Sequence, residues 1–124
     1  MPDQRILIVD DEPDIAEVIG DRLAANGYDV QIVAGARACY AAIEEHRPDL
    51  VLLDIQMPEI SGMEALVELK ASHPDLPVLM VSASTVQAAA TEAGDKGAEG
   101  FLLKPYEPAE LMHWVTSILG PSRK

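Results

Sequence analysis

Asp49-Leu50-Val51-Leu52-Leu53-Asp54-Ile55-Gln56-Met57-Pro58 is the stretch whose reading decides the fold. Four consecutive apolar residues between turn signals read as a strand buried on both faces, as in the middle of a parallel sheet. The strand ends on a carboxylate, so Asp54 stands at the carboxyl edge, where open α/β sheets bind their ligands. Ile6-Leu7-Ile8-Val9-Asp10-Asp11 has the same form, four apolar residues and then acid. If the two strands are neighbours, Asp10, Asp11 and Asp54 converge on one crevice. Three like charges that close repel one another strongly, and the cluster predicts a hard divalent metal to relieve them.

The rest of the chain fills in around these two strands. Pro13 suits the first turn of a helix, with Glu12 and Asp14 at the favourable end of its dipole. That helix should run to about Asn26 and stop at Gly27. At about 100° per residue, Ala16, Ile19, Gly20 and Leu23 share a core-facing side, with Ile15 and Val18 on its flank. Tyr28-Asp29-Val30-Gln31-Ile32-Val33 alternates apolar with polar and belongs at a sheet edge. Ala36 to about His46 reads as a second helix carrying Ala38, Cys39, Ala42 and Ile43. Ser61-Gly62-Met63-Glu64 has the form of a capping box, opening a helix that carries Met63, Leu66, Val67 and Lys70.

Leu76-Pro77-Val78-Leu79-Met80-Val81 is a further buried strand, ending on Ser82. A thinly apolar helix over Val86 to Ala93, including Ala88-Ala89-Ala90, follows it. Phe101-Leu102-Leu103-Lys104 gives the fifth strand. The last helix begins near Pro108 and presents Leu111, Val115 and Ile118 at helical spacing. Five strand-helix repeats with short connections predict a single α/β domain over residues 1–124, a doubly wound sheet of five parallel strands with helices on both faces. The acids, Ser82 and Lys104 all fall at strand carboxyl ends and should share one rim.

Composition narrows the function. With 21 acidic and 9 basic residues the formal net charge is -12, which opposes direct nucleic-acid binding. No apolar run approaches the roughly 18 residues of a membrane span, and the N-terminus lacks a signal-peptide core, so a cytoplasmic location is expected. The lone Cys39 excludes an intrachain disulfide and is expected to be a buried helix residue. His46, His73 and His113 are scattered and are expected at the surface.

Taken together, Ile8-Val9-Asp10-Asp11-Glu12, Leu53-Asp54-Ile55-Gln56-Met57-Pro58, Val81-Ser82-Ala83 and Leu103-Lys104-Pro105 resemble the receiver domain of two-component response regulators. The resemblance spans essentially the whole chain. It implies a flavodoxin-like fold with strand order 2-1-3-4-5, which accepts a phosphoryl group from a phosphohistidine on a sensor histidine kinase or phosphotransfer protein. Carried over by position, Asp54 resembles the phosphoacceptor. Asp11, Asp54 and the backbone carbonyl of Gln56 resemble direct Mg²⁺ ligands, with Asp10 reaching the metal through water. Lys104 resembles the lysine that meets a phosphoryl oxygen, Ser82 the switch hydroxyl and Phe101 the switch aromatic.

The implied output is a signalling switch that catalyses only its own phosphorylation and dephosphorylation. It would act on a downstream effector or an attached output domain. Ser82 stands where the family more often has Thr, and Phe101 lacks a tyrosine hydroxyl. Gln56 and Ser84 occupy the positions that tune dephosphorylation in the family. Ile15 and Val18 are candidates for docking the phosphoryl donor, against the plainer reading that they complete the core. The fifth strand and last helix lack the Arg and acidic pairs that some family members use to dimerise, so a monomer or weak dimer is expected, with Trp114 as a built-in reporter. Two other readings compete: a Mg²⁺-dependent aspartyl-phosphate phosphatase, whose second acid would fall at Gln56, and a flavodoxin-like flavin-binding module, whose phosphate loop would fall at Asp10-Asp11-Glu12.

Overall fold

The computed structural model describes residues 4–55, 60–82, 92–103 and 107–120. Five strands alternate with helices: β1 (Arg5–Val9), α1 (Pro13–Ala25), β2 (Asp29–Val33), α2 (Ala36–Glu45), β3 (Leu50–Asp54), α3 (Gly62–Ser72) and β4 (Val78–Ser82). Residues 92–95 are helical (α4), and β5 (Gly100–Leu103) and α5 (Pro108–Leu119) complete the order. The strands form one parallel sheet in the order β2-β1-β3-β4-β5. The doubly wound architecture is therefore present, with β2 at an edge as its alternating pattern predicts. β3, in the middle, is buried along its whole length.

Strand alternation divides the core in two. Leu7, Val9, Val51, Leu53, Val78 and Met80 face one side, where Cys39, Ala42 and Ile43 of α2 and Ala65, Leu66 and Leu69 of α3 cover them. Ile6, Ile8, Leu50, Leu52, Leu79 and Val81 face the other, beneath Ala16, Ile19 and Leu23 of α1 and Leu111 and Val115 of α5. The expected inner faces hold for α1 and α5. Ala38 and Val67 do not join the core: both are exposed, and Ala36, Ala65 and Leu69 take the inward places. Helical rotation explains the shift, because an inner stripe centred on Leu66 and Leu69 turns Val67 away. Ser61 caps α3 by accepting the Glu64 N–H at 3.3 Å. Gly27, at φ 92°, ends the α1 turn in the left-handed region, where glycine is favoured.

The opposite edge of the sheet from the acids is tied by side chains. Glu99 Oε1 accepts the Val78 N–H at 2.8 Å and Lys70 Nζ at 3.2 Å, while Lys70 also donates to the Leu76 carbonyl at 2.8 Å. Lys70 thus serves the start of β4 and not only an apolar helix face. Glu99→Ala leaves the Val78 N–H, in a fully buried residue, without its carboxylate acceptor and costs Lys70 its countercharge. A loss of about 2 kcal/mol is expected from an orphaned buried donor, read as a lower urea midpoint at unchanged m-value.

Cys39 is fully buried, and burial pushes its thiol from 9.0 up to about 12. Burial also raises Tyr28, and burial followed by the Glu68 carboxylate, Cys39 and Glu64 raises Tyr40. The unfolded chain gives up the thiol proton at lower pH than the native one, so this contribution to stability is intact below about 9 and declines as pH climbs toward 12. Native protein at neutral pH should resist thiol alkylation, and labelling should follow the denaturant unfolding curve. Rapid labelling without denaturant would contradict the buried position. His46 and His113 are exposed as expected, whereas His73 is partly buried, with Nε2 at 3.9 Å from Glu44 Oε1.

Candidate functional site

The register brings the acids together. Val9 pairs with Leu53, so Asp10, one residue beyond β1, lies beside Asp54 at the end of β3. The Asp10 N–H donates to the Val33 carbonyl at 3.1 Å, extending the ladder toward β2. Asp10 Oδ1 accepts the Glu12 N–H at 2.9 Å, a local turn that fixes this carboxylate and starts α1. Asp10 and Asp54 are buried, while Asp11 and Glu12 are exposed. Ile8, Ile19, Leu52 and Val81 form an apolar floor beneath the two buried acids.

Carboxylate oxygens of Asp10, Asp11, Glu12 and Asp54 all lie within 4.8 Å of one another. An all-oxygen, all-anionic donor set open to solvent on one side fits a hard divalent cation that keeps some of its waters. Glu12 is the member that the sequence does not assign to the metal set; there it is a favourable charge at the helix start and the last residue of the Ile8-Val9-Asp10-Asp11-Glu12 motif. Its position directly after Asp10-Asp11, with Pro13 opening the helix, was the available signal.

Ser82 ends β4 with no exposed surface, on the strand next to β3, where Asp54 pairs with Val81. Phe101 pairs with Met80 and is partly buried against the α2 and α3 side of the core. The geometry therefore gathers Asp10, Asp11 and Asp54 on one rim and places Ser82 at the same edge. Phe101 lies farther back along β5. Gln56 and Lys104, together with Ser84 and the Ala88-Ala89-Ala90 segment, lie outside the described residues.

The model of the response regulator receiver domain matches residues 6–116. The chain belongs to this family. MtrA of Mycolicibacterium smegmatis, a DNA-binding response regulator, is 35% identical over 116 residues, and the match covers 94% of this chain and 50% of that protein. The transcriptional regulator NtrC of Rhizobium meliloti is 37% identical over 119 residues, covering 96% of this chain and 25% of its own length. The receiver domain of NtrX from Brucella abortus superposes with a TM-score of 0.88 at 34% identity, covering 92% of this chain and 97% of that one. A CheY-like receiver protein from Methanospirillum hungatei gives 0.87 at 31% identity, covering 92% and 91%. The chain thus spans half or less of the curated relatives described, and nearly the full length of solved receiver domains.

As a receiver domain, the chain is the phosphoacceptor module of a two-component system, a signalling switch with the CheY-like, flavodoxin-like fold. Membership displaces the flavin-module and phosphatase readings. Among the described residues, no helix is long and apolar enough to cross a membrane.

Proposed function

We propose that this receiver takes a phosphoryl group from a phosphohistidine onto Asp54. The observation that carries the reading is the position of Asp54: buried, at the end of the central strand, and within a cluster of four carboxylates. A carboxylate oxygen of Asp54 attacks phosphorus in line with the breaking P–N bond. The electron pair of that bond leaves with the imidazole nitrogen, which is reprotonated, and an acyl phosphate remains. Hydrolysis reverses the change, when water attacks phosphorus and the Asp54 carboxylate departs. The cofactor proposed is Mg²⁺, held by Asp10, Asp11, Asp54 and the backbone carbonyl of Gln56, where it supplies positive charge against the phosphoryl oxygens. Lys104 and the Ser82 hydroxyl are proposed as donors to those oxygens, and Phe101 as the aromatic that follows Ser82 when it moves.

In this reading the domain, residues 1–124, is a cytoplasmic switch with no substrate turnover beyond its own phosphorylation and dephosphorylation. The charge of -12 favours contact with proteins over nucleic acid, so DNA binding would reside in an attached output domain or a downstream effector. A monomer or weak dimer is proposed, because β5 and α5 lack the Arg and acidic pairs that would dimerise them, with the face of α4, β5 and α5 as output. Trp114 reports on that face because its indole lies over Gly100, where a Cβ would come within 2.7 Å of Cε3. Acetyl phosphate with Mg²⁺ should add one alkali-labile phosphoryl group, read by intact mass. Protein that gains none from acetyl phosphate or from a phosphohistidine donor would refute the reading.

Ile15 and Val18 are exposed, at 37% and 71%, in the first two turns of α1, and this exposure favours donor docking over core packing. Ile15→Ala should slow transfer from a protein phosphohistidine about tenfold, the scale of losing one well-packed interface contact, and should spare reaction with acetyl phosphate. Equal slowing with both donors would contradict a docking role.

A further inference from the structure

The first helical residue of α3 touches the backbone that carries the phosphoacceptor. Gly62 donates its N–H to the Ile55 carbonyl at 2.8 Å, and the Ile55 N–H in turn donates to Val81 at 3.0 Å. Ile55, the residue after Asp54, is therefore held from both sides. A Cβ on Gly62 would stand 2.5 Å from Ile55 Cα and 2.9 Å from the Asp54 carbonyl carbon, and would overlap the Asp54 carbonyl oxygen itself. These are backbone atoms, so no rotamer change relieves the overlap. Gly62 lies outside the left-handed region, which among the described glycines holds Gly27, Gly97 and Gly120. Its backbone is helical, where alanine is the better helix former. The absence of a side chain is thus required by close approach and not by conformation.

We infer that Gly62 is a positioning residue for phosphoryl transfer: its bare Cα lets the start of α3 lie directly on the Asp54–Ile55 peptide and so fixes the direction of the Asp54 carboxylate. Ser61 supports the contact from the preceding position by capping α3 through the Glu64 N–H. Any side chain at 62 must push either the helix or the end of β3. Displacing β3 moves Asp54 against Asp10 and Asp11, which belong to another strand's end and would not follow.

The inference rests on Asp54 being the phosphoacceptor, and the test separates the two. Phosphorylation by acetyl phosphate with Mg²⁺, Mg²⁺ affinity by calorimetry and thermal unfolding in chelator are measured for wild type, Gly62→Ala and Gly94→Ala. Gly94 has open space where a Cβ would stand. Gly62→Ala should phosphorylate about 10- to 100-fold more slowly while folded, since misplacing a reacting group by ~1 Å costs on this order, and should bind Mg²⁺ more weakly. Gly94→Ala should match wild type.

Wild-type labelling with an equally fast Gly62→Ala would overturn this inference alone. No labelling of wild type would overturn the phosphoacceptor reading and this inference with it. If Gly62→Ala does not fold, the wild type carries the test: the amide resonances of Ile55 and Gly62 should shift on Mg²⁺ addition, and unmoved resonances would overturn the proposal.

Discussion

Asp54→Asn should abolish phosphoryl gain from both acetyl phosphate and a protein phosphohistidine. The substitution is nearly isosteric and removes the anionic oxygen that must attack phosphorus; an amide does not yield a stable acyl phosphate. Loss of a nucleophile is among the costliest single changes to a reactive site, so the rate should fall on the order of 1000-fold or more. The fold should survive, because Asp54 lies in a cluster of like charge and the asparagine relieves repulsion there. Intact mass before and after alkaline treatment is the readout, with far-ultraviolet circular dichroism as the folding control. Labelling of the mutant at the wild-type rate would remove Asp54 from the role. Its transfer to Asp10 or Asp11 would show that the cluster is reactive but the acceptor misassigned.

Mg²⁺ should raise the melting temperature of the wild type by roughly 10 °C at about 100 times its dissociation constant. Ligand bound only to the native state at that excess contributes about 2.7 kcal/mol, and a domain of this size shifts by about 4 °C per kcal/mol. The origin is local. Four carboxylates with oxygens within 4.8 Å of one another should repel in the metal-free fold, and the unfolded chain would disperse them. Asp11→Asn separates attraction from repulsion, because Asp11 is an exposed member of the cluster. It should melt higher than wild type in chelator and gain less from Mg²⁺. Sodium chloride at matched ionic strength controls for screening. Equal melting of wild type with and without Mg²⁺ would argue against a metal site at these residues.

Legibility in the sequence followed the range of the interaction concerned. The buried strands Ile6-Leu7-Ile8-Val9 and Leu50-Val51-Leu52-Leu53 are written as continuous apolar runs, because a strand covered on both faces leaves no position for polarity. Their terminal acids follow from chain position, so the sequence itself puts Asp10, Asp11 and Asp54 on one rim. The edge position of β2 was legible in its alternation, and the inner stripe of α1 in its helical period. Helix rotation is less legible where apolar residues occur on more than one side. Val67 and Ala38 fit an inner face by type, but the sheet accepts only the side that its own ridges leave open, and Leu69 and Ala36 occupy it.

What the sequence determined by itself was the element order, the central strand, the acidic rim and the family, since each rests on residue type within a short span or on motif order along the chain. Tertiary structure alone decided three things. Glu12 joined the metal-competent cluster because the Asp10 turn folds it back over the rim. Lys70 and Glu99 became partners across 29 positions because α3 and the start of β5 both end against β4. Gly62 has no room for a side chain because α3 begins directly on the Asp54–Ile55 backbone. Such contacts depend on how two elements meet, on distances of a few ångströms that residue type does not encode, and so they appear only when the chain is packed.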